Sequence, residues 1–181
     1  MEINTIEKLI LALDNCSKEK TENDYLDVMG KMQIKTQQWE PYFTFKDDGV
    51  AKVCISKTEN YQLFLSCWEK GQQGPIHDID SKEAWIHPIF GKFTEERFRV
   101  SKGNKRLEQV SSVPLTPQSY SYMQKPMTFY RYINSYENRS VCLHLYCPPV
   151  LKWREYDADT RQLKLVLHNF DKTFDVFQHI K

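Results

Sequence analysis

Three side chains of this sequence stand in a pattern that could move protons: Cys142, His144 and Tyr146, in the run Val141-Cys142-Leu143-His144-Leu145-Tyr146-Cys147. Alternate residues of a β-strand share a face, so these three point one way and Leu143 and Leu145 point the other. A histidine and a tyrosine on an inward face must find hydrogen-bond partners, either in each other or in a polar pocket. A second candidate lies in Gly71…Gly74-Pro75-Ile76-His77-Asp78-Ile79-Asp80-Ser81. On a strand, His77 and Ile79 share one face while Asp78 and Asp80 take the other. Two histidines so spaced would offer two nitrogens to one metal ion, and a third would complete a facial triad for Fe(II). Here the second position is Ile79, which has no lone pair. His87 falls between Ala84 and Ile86 on one side and Pro88 on the other, with outward parity, which marks it as a packing or surface residue.

Together, Cys67-Trp68 through Ser81, Trp85 through Phe93 and Leu143 through Pro149 resemble the cysteine dioxygenase family, small iron-dependent cupins. The resemblance runs over nearly the whole chain. In the general cupin pattern Gly71 stands six before the first ligand, His77, and Gly91 closes the motif at the right distance. The second histidine position is Ile79, the acidic position is Ala84, and the third histidine falls on Tyr130 or, counted without a gap, on Phe129. Asn134 fits the asparagine that follows the third ligand. His77 is thus the one matching metal ligand. The family's outer relay of Ser, His and Tyr is matched by Cys142, His144 and Tyr146. The family's animal members link a cysteine to that tyrosine, and Ala84 replaces the cysteine. The arginine that receives the substrate carboxylate falls on or near Lys52, which can neutralise a carboxylate but lacks the two-pronged donor geometry.

The resemblance implies a mainly β fold, a cupin or double-stranded β-helix (jelly-roll) barrel, with two or three N-terminal helices. It implies one cysteine-dioxygenase-like domain over 1–181, with a helical layer over 1–40 and the barrel over 41–181. The altered ligands imply a homologue with a degraded iron site, one that binds a small polar, amino-acid or thiol molecule without catalysis or with altered chemistry. The pocket candidates are His77, Ile79, Ala84, Tyr130, Cys142 and Lys52, beside His144 and Tyr146 as the relay. No cofactor is expected, or Fe(II) if the family activity survives. Two alternatives stand beside this reading. One is an active thiol dioxygenase turning L-cysteine into cysteine sulfinate with Fe(II) and O2 through an unusual ligand set. The other is a protein-interaction module that uses the helical layer or the Ser101–Pro126 loop.

Composition agrees with a single core and excludes little else. The 181 residues suffice for one domain. Charges balance at 25 Lys+Arg against 24 Asp+Glu, so no nucleic acid or anionic membrane is expected as a partner. No apolar run approaches a membrane span and Met1–Thr5 shows no secretory pattern, so a cytoplasmic protein is expected. Five cysteines without a Cys-x-x-Cys pair argue for reduced thiols rather than a zinc site.

Local patterns place the elements. Ile6, Leu9, Ile10 and Leu13 recur at helical spacing behind Thr5 as cap, and Tyr25, Val28, Met29 and Met32 repeat the pattern behind a Thr21-x-x-Asp24 pair. Alternating runs predict strands over 50–55, 61–68, 84–93, 95–100, 128–133, 140–146 and 162–168, with one more near 107–113 inside an irregular stretch. Lys70-Gly71, Gly103-Asn104 and Cys147-Pro148-Pro149 mark turns.

Overall fold

A computed structural model describes residues 2–19, 24–101, 106–124 and 129–179. Helix α1 runs over Ile6–Glu19, α2 over Asp24–Gly30 and α3 over Thr36–Trp39, the last continued by a single 3-10 turn at Glu40–Tyr42. Thr5 caps α1: its Oγ1 accepts the Lys8 amide at 3.3 Å. Thr21 and the Gly103-Asn104 turn lie outside the described residues. The second helix is shorter than its apolar pattern predicts. It ends at Gly30, and Met32 instead bridges to Ile3 in extended backbone. A glycine at the last position, with no side chain to pack, gives a helix little reason to continue.

Eleven strands follow among the described residues: β1 Ala51–Lys57, β2 Gln62–Trp68, β3 Glu83–Phe90, β4 Phe93–Val100, β5 Leu107–Leu115, β6 Ser121–Gln124, β7 Phe129–Ile133, β8 Ser140–Cys147, β9 Lys152–Asp157, β10 Gln162–Leu167 and β11 Lys172–Thr173. The apolar run over 84–93 is not one strand. Gly91, at φ 79°, turns the chain between β3 and β4, and an added Cβ there would sit 2.1 Å from Ser140 Oγ, so only glycine fits both the conformation and the space. The irregular stretch after Ser101 holds two strands, β5 and β6, rather than one.

The strands form two walls. The first is a sheet in the order β11-β1-β2-β8-β3-β6. The second joins β5-β4-β7 to β9-β10 through the segment Gly74–Asp78. That segment bonds on one side to β7 (Gly74 N to Tyr132 O, 2.9 Å; His77 N to Tyr130 O, 3.0 Å; Tyr130 N to His77 O, 2.9 Å) and on the other to β9 (Tyr156 N to Ile76 O, 2.8 Å; Asp78 N to Arg154 O, 3.1 Å). The expected barrel is therefore built as two facing sheets.

Two cores follow from strand alternation. Leu63, Leu65, Leu143 and Leu145 face away from the second wall and pack with Ile6, Leu9, Leu13, Met29 and Trp39 of the helical layer. Phe64, Trp68, Ala84, Ile86, Cys142 and Tyr146 of the first wall face Ile79, Phe93, Tyr130, Tyr132 and Trp153 of the second. Burying a large side chain is worth about 1.5–3 kcal/mol, so a strand whose residues feed two cores has its register fixed on both faces.

Candidate pocket between the sheets

A cavity of about 50 Å³ lies between the walls, lined by Lys52, Phe64, Ser66, Trp68, His77, Tyr132, His144, Tyr146 and Trp153 among others. Its first-wall side descends from β2 and β8, which pair Phe64 with His144 and Gln62 with Tyr146. Phe64 lies flat on His144 with ring centroids 4.6 Å apart. Trp68 Nε1 donates to Ser66 Oγ at 2.8 Å, and Ser66 Oγ lies 2.8 Å from His144 Nε2. Having accepted from the indole, the serine hydroxyl has its own proton to give. Assigned from that network, it donates to His144 Nε2, which leaves the proton of the ring on Nδ1. That Nδ1 is buried without a partner among the described residues. Burial, with His168, His77 and Lys52 nearby, holds the His144 pKa well below the usual imidazole value, so the ring is neutral.

The second-wall side is set by the backbone ladder around His77. Its Nδ1–H donates to the Asp78 carbonyl at 2.8 Å, which fixes the lone pair on Nε2. The ring stacks on Trp153 at 4.3 Å. Burial lowers its pKa to about 4, with Lys52 adding to the effect and the Asp78 carbonyl opposing it. Asp78 turns away, as its parity predicts, and its carboxylate takes the Arg154 amide at 2.8 Å and Nε at 2.6 Å. Ile79 follows at 4% exposure among the apolar residues of the inner core. Tyr130, not Phe129, stands opposite His77 and points inward. Phe129 packs on the other face with Phe98 and Tyr156. Burial, then the Tyr146 and Tyr132 phenols, raise the Tyr130 pKa well above 10, so it is a neutral phenol. Its hydroxyl interacts with that of Tyr146 but reaches no well-formed hydrogen bond among the described residues.

The other named positions fall as follows. Cys142 is buried in the inner core with His144 and Tyr146 on its face; burial, then Glu95, push its thiol pKa up. Ala84 pairs directly with Tyr146 across β3 and β8, so the position from which a cysteine could reach that phenol carries only a methyl group. Tyr132 donates to buried Glu95 at 2.6 Å, and Arg97 compensates that carboxylate at 2.7 Å. Asn134 is a structural residue: its amide serves the carbonyls of Glu69 and Asn138, and its oxygen accepts from Ser140 and Tyr136. His87 is half-buried and lies on the face of β3 turned from the pocket.

Lys52 sits in the pocket with Nζ 4.0 Å from the centre of the Trp153 ring. Burial pulls its pKa down to about 8, against the pull of Glu155 and Asp171. Two residues of this site carry no sequence signal strong enough to nominate them. Trp153 lies on β9, whose Lys-Trp-Arg-Glu-Tyr-Asp composition hides the strand. His168 follows β10; it bonds Gln62 at 3.2 Å, has its Nε2 buried without a partner among the described residues, and has a pKa lowered by burial to about 3.

The family model described as cysteine dioxygenase type I matches residues 3–159. The chain is 25% identical over 173 residues to cysteine dioxygenase type 1 of Danio rerio, covering 88% of this chain and 83% of that one. Among solved structures it is similar to the TT1209 protein of Thermus thermophilus, at 14% identity over 60% of this chain and 92% of that one with a TM-score of 0.49. A conserved protein with a double-stranded β-helix domain from Klebsiella pneumoniae is similar at 12% identity over 71% and 86%, also with a TM-score of 0.49. With a family model matched from its third residue to well past β8, the chain belongs to the cysteine dioxygenase type I family.

Proposed function

We propose that this member of the family holds a small polar, anionic molecule of the amino-acid or thiol class, and that the family's iron chemistry is lost or altered in it. The carrying observation is the pair His77 and Ile79. One imidazole presents a lone pair at Nε2, and the next inward position is a buried aliphatic side chain. Opposite them Tyr130 is a phenol whose raised pKa keeps it from serving as an anionic ligand. Among the described residues, no three or more His, Cys, Asp and Glu side chains stand together so as to hold a metal ion. This donor set does not fit the family's Fe(II), which asks for three neutral nitrogens on one side of the ion.

What remains suits a ligand bound by the protein alone. Lys52 brings a positive charge into an aromatic-walled space. A carboxylate drawn there meets that ammonium, the unpartnered N–H of His144 and the phenol of Tyr146. Charge-assisted bonds of this kind are roughly twice as strong as neutral ones. The cavity admits only a handful of non-hydrogen atoms, since about 10–15 Å³ of such space accommodates one water.

The second reading, an active thiol dioxygenase, is favoured by one specific observation: His77 keeps the tautomer of a metal ligand, and His144 and Tyr146 keep the relay positions. Calorimetry with L-cysteine and with propionate in the presence of chelator separates the two, run beside elemental analysis of freshly purified protein and anaerobic Fe(II) titration. Binding that survives the chelator supports the metal-free pocket. Near-stoichiometric iron with cysteine-dependent oxygen uptake overturns it.

A further inference from the structure

We infer that Lys52 is a covalent capture site for small carbonyl compounds, aldehydes and α-oxo acids of the size of glyoxylate and pyruvate, which it takes up as an imine. This deepens the reading of the pocket as a metal-free small-ligand site and rests on it. Lys52 is half-buried and lines the cavity between the sheets, and its amine meets the face of Trp153 at 4.0 Å rather than an ion-pair partner. Among the described residues Lys52 Nζ forms no ion pair; Asp171 is engaged by Lys46 at 2.6 Å and by the Lys52 backbone amide at 2.8 Å. Removing the ammonium from water favours its neutral form, and Lys46 adds to that, while Glu155, Asp171 and the Trp153 ring oppose it. Desolvation among apolar walls is one of the ways a lysine becomes a nucleophile toward carbonyl carbon. A lysine titrating near 8 is a free amine about two orders of magnitude more often at neutral pH than one titrating near 10.4.

The pocket also holds a hydrogen-bond donor suited to a carbonyl oxygen. His144 offers a buried Nδ1–H that has no partner among the described residues. The neutral amine attacks the carbonyl carbon; a C–N bond forms, and the electron pair of the C=O moves to oxygen, which takes up a proton as nitrogen gives up one of its two. The resulting carbinolamine then receives a second proton on its hydroxyl. The C–O bond breaks, water leaves, and nitrogen loses its remaining proton to give the neutral imine. Nothing is oxidised or reduced, and no co-reactant is needed.

The test is reductive trapping. Chelator-treated protein is incubated with glyoxylate or pyruvate and cyanoborohydride at neutral pH, and the adduct is located by peptide mass spectrometry. A single reduced adduct on Lys52, formed at least about tenfold faster than on any other lysine, is expected. The Lys52→Arg variant cannot form an imine, so it should lose that adduct. If adducts spread over surface lysines alike in both proteins, the proposal is overturned. If pyruvate binds by calorimetry but is not trapped on Lys52, the imine is overturned and the pocket reading stands; if it neither binds nor is trapped, both fall. Site mapping on the unsubstituted protein alone decides the matter should Lys52→Arg fail to fold.

Discussion

The two walls of the pocket differ in what they have kept. The first wall carries a polar relay, Trp68 to Ser66 to His144, that ends at a His144 Nδ1 without a partner among the described residues. The second wall keeps the backbone ladder that places His77 between Tyr130 and Glu155 but carries Tyr130 on that ladder and Ile79 just past its end. The contrast has a physical reason. A backbone ladder is indifferent to side chains, so inward residues on it can change as long as they fill the space. A buried relay is not divisible, because removing one member strands the others without water or partner.

The largest effect should come from refilling the second wall. Ile79→His with Tyr130→His places two imidazoles near His77, one on β7 and one just past the ladder that holds His77. Structural metal sites gather about 10–16 kcal/mol over their ligands, so the double variant should bind Co(II) or Fe(II) at least about a hundredfold more tightly than the unsubstituted protein. Anaerobic titration with an absorbance or calorimetric readout measures this. Equal affinity would show that the second wall does not aim its inward positions at one point.

How much of this contrast is legible in the sequence depends on the wall. The first is almost fully so: β8 is a central strand whose alternation separates Leu143 and Leu145 from Cys142, His144 and Tyr146, and the two cores divide them that way. On the second wall, the choice between Phe129 and Tyr130 is open to sequence reasoning because only the cross-strand bridge to His77 decides it, and that pairing joins residues far apart in the chain. Strand β9 escapes because Lys152, Arg154 and Glu155 read as a solvated segment after two prolines. With it go Trp153 and hence the environment of Lys52. His168 is likewise invisible, since its burial comes from Phe64, Trp153 and Phe170, all distant or irregularly spaced.

A second substitution pair tests the indivisibility of the relay. Ser66→Ala leaves Trp68 Nε1 and His144 Nε2 without their partner and should lower stability by about 2–6 kcal/mol, at about 1–3 per stranded group. Tyr130→Phe on the opposite wall removes a hydroxyl that has no well-formed hydrogen bond among the described residues, and should leave stability within about 1 kcal/mol. Denaturant midpoints at constant slope report both. If the two losses are equal, the walls do not differ in how strictly their polar groups depend on one another.

Acid should expose the imidazoles shared by both walls. His77 titrates near 4 and His168 near 3 in the folded chain, and His144 lies well below its ordinary value, while all three return to about 6.5 on unfolding. Between those values the unfolded state binds more protons than the folded one, so stability is complete above about pH 6.5 and falls as the pH drops toward 4. The slope approaches about 1.4 kcal/mol per pH unit for each buried histidine. Melting temperatures from about pH 7.5 down to about 4.5 check the sign, and His168→Gln, which retains a polar partner for Gln62, should flatten the decline by about one third. A melting temperature that rises on acidification would mean that the histidines have charged partners in the fold.

The smallest effect belongs to the turn that carries the chain from one wall to the other. Gly71 follows β2 and precedes the Gly74–Asp78 segment, at φ 74° and with no atom within 4 Å of where a Cβ would stand. Gly71→Ala therefore meets only the backbone strain of a left-handed residue, about 1–2 kcal/mol, with no clash to add. Since the ladder to β7 and β9 holds His77 independently of the turn, the loss should appear in the denaturant midpoint while propionate binding by calorimetry is unchanged. A substitution that weakens binding as much as it weakens the fold would show that the second wall is positioned by the turn, and that its backbone ladder is not the fixed scaffold on which Ile79 and Tyr130 were free to change.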